Sequence, residues 1–104
     1  MPYSIEYREN RKTVYGKKSY DTLDDARKAA VSVVKRSGNK TTAHIVYGAK
    51  GNVVGQVDAY DNFGPPIVYG YTRWSEDGDP KIWKINPATG KLVKNLGTLD
   101  YSWD

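Results

Sequence analysis

Thr22-Leu23-Asp24-Asp25-Ala26-Arg27-Lys28-Ala29-Ala30-Val31-Ser32-Val33-Val34-Lys35-Arg36-Ser37-Gly38-Asn39 is the stretch on which the fold turns. Thr22 followed three residues later by Asp25 forms a capping box, in which a hydroxyl accepts from an orphan backbone N–H at the start of a helix. Asp24 and Asp25 favour the positive end of the helix dipole, and Lys35 and Arg36 the negative end. Leu23, Ala26, Ala30, Val33 and Val34 recur at spacings of three and four, an apolar stripe that needs a surface to pack on. Gly38 stands where a left-handed C-terminal cap is required. The pattern predicts one helix over residues 23–37.

Outward from this helix the period changes to two. Tyr3, Ile5 and Tyr7 alternate with Ser4, Glu6 and Arg8, and Glu9-Asn10-Arg11-Lys12 reads as a polar turn into Thr13-Val14-Tyr15, so a hairpin precedes the helix. After it, Thr42–Tyr47 and Val53–Tyr60 are β-branched runs joined by Gly48-Ala49-Lys50-Gly51-Asn52, a loop suited to a hairpin with a bulge. Asn62-Phe63-Gly64-Pro65-Pro66 marks a corner, because paired prolines remove ladder donors. Beyond it Ile67–Trp74, Lys81–Ile85 and Leu92-Val93-Lys94 read as further strands. Asn86-Pro87-Ala88-Thr89-Gly90-Lys91 between the last two fits a type I turn with a left-handed glycine. Leu99, Tyr101 and Trp103 alternate in a tail that forms a final strand or an arm. The expected fold is α+β: an antiparallel sheet in β-β-α-β-β order with one helix packed on a face, followed by additional C-terminal strands.

The 104 residues suit one domain, with a core unit at 1–61, a proline-rich corner at 62–66 and a β-rich extension at 67–104. Nine Tyr and three Trp compensate for few aliphatic side chains, so rings are expected to carry much of the burial. With no cysteine, disulfides, thiolate catalysis and cysteine-based metal sites are excluded. The charges in Tyr3–Arg8 fall where a signal peptide needs an apolar run, and no apolar stretch is long enough to span a membrane, so a cytoplasmic location without membrane contact is expected.

Residues 1–56 carry 11 basic and 5 acidic side chains, a charge of +6, and residues 57–104 carry 5 and 7, a charge of −2. Such asymmetry orients a molecule in the field of a polyanion. The cations of the first half fall in pairs: Arg11-Lys12 and Lys17-Lys18 in the first hairpin, Arg27-Lys28 and Lys35-Arg36 in the helix. Tyr7, Tyr15 and Tyr20 lie among the hairpin pairs, where bases can stack on rings while cations meet phosphates. The same residues on a plain solvated face would look no different in sequence.

Chemistry-bearing constellations are sparse. His44 stands alone in a strand, and no serine lies in a nucleophile elbow. Glu76-Asp77-Gly78-Asp79 gathers carboxylates without the spacing of a calcium loop, so no metal is expected. Gly48-Ala49-Lys50-Gly51 has the Gly-x-x-Gly form that clamps nucleic-acid backbone in KH domains, but between two strands rather than two helices, where a hairpin turn accounts for both glycines. Phosphate-binding glycine motifs are missing, so no cofactor is expected.

Tyr20 through Ala30, Ile45-Val46-Tyr47-Gly48, Gly51-Asn52-Val53-Val54 and Tyr60-Asp61-Asn62-Phe63-Gly64-Pro65-Pro66 together resemble a short bacterial domain family of uncharacterised function. In that family a capped helix precedes a glycine-turn hairpin and a closing aromatic–glycine–proline segment. The resemblance covers residues 3–66 and implies a compact sheet with one helix, with no catalytic residue carried over.

Three functional readings follow. The first is a non-enzymatic protein that recognises an acidic partner, nucleic acid or nucleoprotein, through Arg11, Lys12, Lys17, Lys18, Arg27, Lys28, Lys35 and Arg36. The second is a protein-binding module, such as a small regulator or inhibitor of mobile-element origin, using Tyr69, Tyr71, Trp74, Trp83, Tyr101 and Trp103, the residue types that interface hot spots favour. A variant of it is self-association through an uncovered strand edge such as Ile67–Trp74. The third, ranked last, is an enzyme working through Asp58, Tyr60 and Asp61.

Overall fold

The computed structural model describes residues 2–48, 52–60, 67–72 and 81–98, with residues 71, 72 and 98 described in backbone only. Among the described residues it is an α+β structure with one helix and one seven-stranded antiparallel sheet. The elements are β1 (Tyr3–Glu9), β2 (Lys12–Tyr15), α1 (Leu23–Arg36), β3 (Ala43–Tyr47), β4 (Asn52–Tyr60), β5 (Val68–Thr72), β6 (Lys81–Ile85) and β7 (Leu92–Thr98). In space the strands run β2-β1-β3-β4-β5-β6-β7. The strands beyond the helix therefore follow sequence order, whereas the first hairpin is added with β1 inward and β2 at the rim.

Local chemistry explains the ends of α1. Thr22 is extended, and its hydroxyl accepts from the Asp25 N–H at 3.1 Å. At the other end the Asn39 N–H reaches the Val34 carbonyl and the Gly38 N–H the Lys35 carbonyl, both at 3.0 Å, the paired bonds of a Schellman cap. Ser37 reinforces it: its hydroxyl donates to the Val34 carbonyl and accepts from the N–H groups of Lys40 and Thr41. The helix thus stops at Arg36, one residue before the expected end, because Ser37 is the cap.

Asn10 and Arg11, the two residues between β1 and β2, both have positive φ, 51° and 66°. This is the backbone of a two-residue type I′ turn, whose twist matches that of the strands. Its partners are in register from Glu9↔Lys12 to Glu6↔Tyr15. After Tyr15 the chain leaves the ladder through one more bond, Gly16 N–H to the Ile5 carbonyl at 2.7 Å, and returns at Tyr20, which exchanges backbone bonds with Tyr3. The segment 16–20 thus borders β1 where β2 has ended.

The core lies between α1 and the strands it touches, β1, β3 and β4. Ala26, Ala30, Val31 and Val34 of the helix pack with Ile5, Ala43, Ile45, Val57 and Ile85. Val31, absent from the expected stripe, is almost fully enclosed, while Val33 is only partly covered. In the β3–β4 hairpin the register shift falls between Ile45 and Val46, leaving Val54 as the extra residue; the bulge expected in the connecting loop concerns residues 49–51, which lie outside the described set.

β5, β6 and β7 continue the same sheet. The turn between β6 and β7 forms as its sequence reads: the Gly90 N–H donates to the Asn86 carbonyl at 2.7 Å and Gly90 takes φ 77°. β5 pairs with both β4 and β6, so residues 68–72 form an interior strand. This corrects the expectation of an uncovered edge there, since among the described strands the outer ones are β2 and β7. The proline-rich corner at 62–66 lies outside the described residues; of the tail expected over 97–104, Gly97 and Thr98 belong to β7 and residues 99–104 lie outside the described residues. Among the described residues no helix is long and apolar enough to cross a membrane.

Candidate functional site

One side of α1 and the neighbouring edge of the sheet enclose a continuous trough. Its central hollow, of about 380 Å³, is lined by the buried or half-buried Ile5, Tyr7, Tyr20, Ala29 and Val33 and by the exposed Lys17, Lys18, Ser32 and Arg36. Toward the C-terminal end of the helix it runs into a second hollow, which shares Tyr7, Val33 and Arg36 and adds Arg8, Glu9, Ser37 and Thr41. In the other direction it opens into a third, sharing Lys18, Tyr20, Ala29 and Ser32 and adding Ser19, Asp21, Asp25 and Lys28.

The trough follows from the local structure already described. On the helix, residues 25, 28, 29, 32, 33 and 36 fall on one stripe because they are three and four positions apart. The opposite wall is built by the chain leaving β2. Because Tyr20 is tied back to Tyr3 by two backbone bonds, of 3.1 and 2.8 Å, Lys17 and Lys18 stand over the hollow rather than projecting from a free loop. Tyr7 and Tyr20 are half-buried, packed partly on the core and partly exposed to the trough.

Charge is unevenly placed along it. Among the described residues the central hollow has three cationic side chains, Lys17, Lys18 and Arg36, and no carboxylate. The carboxylates stand at the two ends, Glu9 in one flanking hollow, Asp21 and Asp25 in the other. A concave surface with low-dielectric walls and one sign of charge focuses potential, so the middle section is the strongest anion-attracting part of the trough.

The eight cations expected to act together are divided by the fold. Lys17, Lys18, Lys28 and Arg36 line the trough. Arg11 and Lys12 sit at the tip of the first hairpin and line none of its three hollows. Lys35 turns to the other side of the helix, where its Nζ lies 5.4 Å from the centre of the Tyr69 ring. Arg27 is a correction to the sequence reading: it is only 7% exposed and is used inside the fold. Its Nε donates to the Gly90 carbonyl at 2.7 Å, and its Nη2 is paired with the Asp24 carboxylate. A guanidinium held in this way is a fixture between helix and β6–β7 turn, not a phosphate contact.

Arg8 is a trough residue that the pairing of basic residues in sequence does not pick out. Its guanidinium donates to the Arg11 carbonyl at 2.8 Å and the Thr13 hydroxyl at 3.2 Å, which fixes it along the hairpin. The signal for it lay in the alternation of β1, but on that reading Arg8 faces away from Tyr7. Tyr15 is 71% exposed and shares a register position with Glu6, on the side of the sheet away from Ile5 and Tyr7.

Of the six rings expected to meet a protein partner, Trp74, Tyr101 and Trp103 lie outside the described residues, as does the side chain of Tyr71. Tyr69 and Trp83 pack against the core. Tyr69 also donates to Asn39 Oδ1 at 3.0 Å, and its partial burial raises the ionisation of its phenol above the ordinary value of 10.0. Asp58 and Tyr60 do meet: the Asp58 carboxylate accepts from Thr42 Oγ1, from Gln56 Nε2 at 2.8 Å and from Tyr60 OH at 3.3 Å. Asp61 lies outside the described residues. His44 is half-buried, paired in register with Glu6 and Gln56.

Comparison with family models, curated proteins and solved structures returns no match.

Proposed function

We propose that this chain is a small, basic, non-enzymatic binding protein that holds nucleic acid, free or within a nucleoprotein, in the trough between α1 and the segment following β2. The reading takes the helix as packed on one face of a β-β-α-β-β sheet extended by C-terminal strands, so that the trough follows the flank where helix and outer hairpin meet. One observation carries it: among the described residues the central hollow combines three cations, no carboxylate and two half-buried tyrosine rings. Phosphates are held by Lys and Arg while base faces are held by aromatic side chains, and both requirements meet in one concavity. Lys17, Lys18 and Arg36 make the phosphate contacts, with Lys28 extending the field toward the N-terminal end of the helix.

The test is binding of labelled nucleic acid by anisotropy at low salt, with Lys17→Glu, Lys18→Glu and Arg36→Glu set against Lys91→Glu and Lys94→Glu as distant charge-matched controls. Each trough substitution weakens binding about tenfold and reduces the salt slope by about one contact, while the controls stay near the wild type. Equal effects of trough and control variants, or no binding at tens of micromolar protein, would overturn the proposal.

A further inference from the structure

Resting on that reading, we infer that the trough takes a short stretch of single-stranded rather than duplex nucleic acid, with a base stacked at Tyr20. Among the residues lining the central hollow, Tyr7 and Tyr20 are half-buried whereas Lys17, Lys18 and Arg36 are exposed, so contact with both requires a base to reach in toward the rings while its phosphates stay with the outer cations. A duplex keeps its bases stacked inside and is read by convex elements that enter its grooves. A single strand can turn a base outward onto an aromatic side chain.

The ends of the trough set the length of that strand. The helical wall runs from Asp25 to Arg36, a rise of about 16 Å at roughly 1.5 Å per residue. At the stacked spacing of about 3.4 Å per nucleotide, this wall faces no more than about five nucleotides. Glu9 at one end and Asp25 at the other bring carboxylates in beside the cations, so the field that favours a phosphate backbone weakens past the middle section. Contact with the three central cations gives a slope of log affinity on log salt of about −2, from roughly 0.7 ion per phosphate for single strands.

The experiment measures binding of oligo-dT and oligo-U of about 12 nucleotides, a duplex of the same length, and heparin, a polyanion without bases, to the wild type, Tyr20→Phe and Tyr20→Leu. The expected result is single strands held about tenfold or more tighter than duplex, with affinity kept by Tyr20→Phe and reduced about tenfold by Tyr20→Leu, while heparin binding is unchanged in both variants. Thermal melts of the two variants establish that each is folded at the assay temperature. Duplex bound as tightly as single strand, or a Tyr20→Leu loss shared equally by heparin, overturns the inference while the proposed function stands. If neither single strand nor duplex binds, the proposed function fails and this inference fails with it.

Discussion

Replacing Gly90 by alanine tests how the C-terminal strands are fastened to the helix. Gly90 is buried at φ 77°, and a Cβ there would lie 1.8 Å from the Asp24 carbonyl oxygen and 2.9 Å from the Lys28 nitrogen. Both obstacles are helix backbone, which cannot swing aside as a side chain can. The β6–β7 turn has to lift, and lifting it breaks the bond from Arg27 Nε to the Gly90 carbonyl. The left-handed conformation costs a non-glycine residue about 1–2 kcal/mol. Loss of a buried bond to a charged donor adds about 1.5–3 kcal/mol. The sum, about 3–5 kcal/mol, is a large share of the roughly 5–15 kcal/mol that stabilises a typical domain. Gly38→Ala supplies the comparison, because Gly38 has φ 71° but a Cβ there would meet nothing within 4 Å. It carries the conformational penalty alone, the same about 1–2 kcal/mol without the lost hydrogen bond. With roughly 4–8 °C of Tm per kcal/mol at this size, Gly90→Ala falls by about 15 °C or more and Gly38→Ala by about 5–10 °C in thermal circular dichroism. Arg27→Met, which keeps an apolar stem, destabilises in its own right and combines with Gly90→Ala less than additively, since both remove one contact. Equal melting of Gly90→Ala and Gly38→Ala would refute the docking of the turn on α1.

Two shorter predictions concern the hairpin tip and the tyrosines. Arg11→Gly relieves a left-handed residue at the second position of the type I′ turn, where glycine is preferred, and raises stability by about 0.5–1 kcal/mol in urea melts; nucleic-acid affinity stays near the wild type, because Arg11 lines none of the trough's hollows. Partial burial of Tyr69 raises its ionisation above 10.0, so the folded state binds that proton more tightly than the unfolded chain and the stability it contributes is complete below 10 and lost as pH rises through the folded value. Spectrophotometric titration shows a late-ionising tyrosine that is absent in Tyr69→Phe, and an unchanged titration curve in that variant would refute the assignment.

The elements were readable because their signals are local. A hydroxyl at 22, acids at 24 and 25, and Ser37-Gly38-Asn39 bound the helix within one residue, since each acts on backbone groups within four positions of itself. The strand runs 81–85 and 92–94 declared themselves by flanking an Asn-Pro-x-x-Gly turn, although the second continues to Thr98. What was not readable is which residues meet across the fold. Arg27 and Lys28 look like one feature in the sequence, as do Lys35 and Arg36, but successive helical residues diverge by roughly 100°. Each pair is therefore split between the two sides of α1. Arg27 is claimed by a carbonyl 63 residues away, a contact no window of sequence contains. The interior position of β5 was hidden for a related reason: alternation shows that a segment is a strand, not which strands stand beside it.

That splitting gives the charge asymmetry of the chain its physical form. On the side of α1 toward the later strands, cations are occupied within the fold: Arg27 by Asp24 and Gly90, Lys35 by the ring of Tyr69. On the side toward the first hairpin, Lys28 and Arg36 join Lys17 and Lys18 around the trough. The excess of the first half is thus not a general property of its surface but is sorted by helix periodicity. One face uses its cations to hold the β6–β7 turn and β5, and the other presents them beside Tyr7 and Tyr20. Charge reversal on the two faces should therefore separate cleanly, Arg27 acting on stability and Arg36 on binding, although both lie on the same helix nine residues apart.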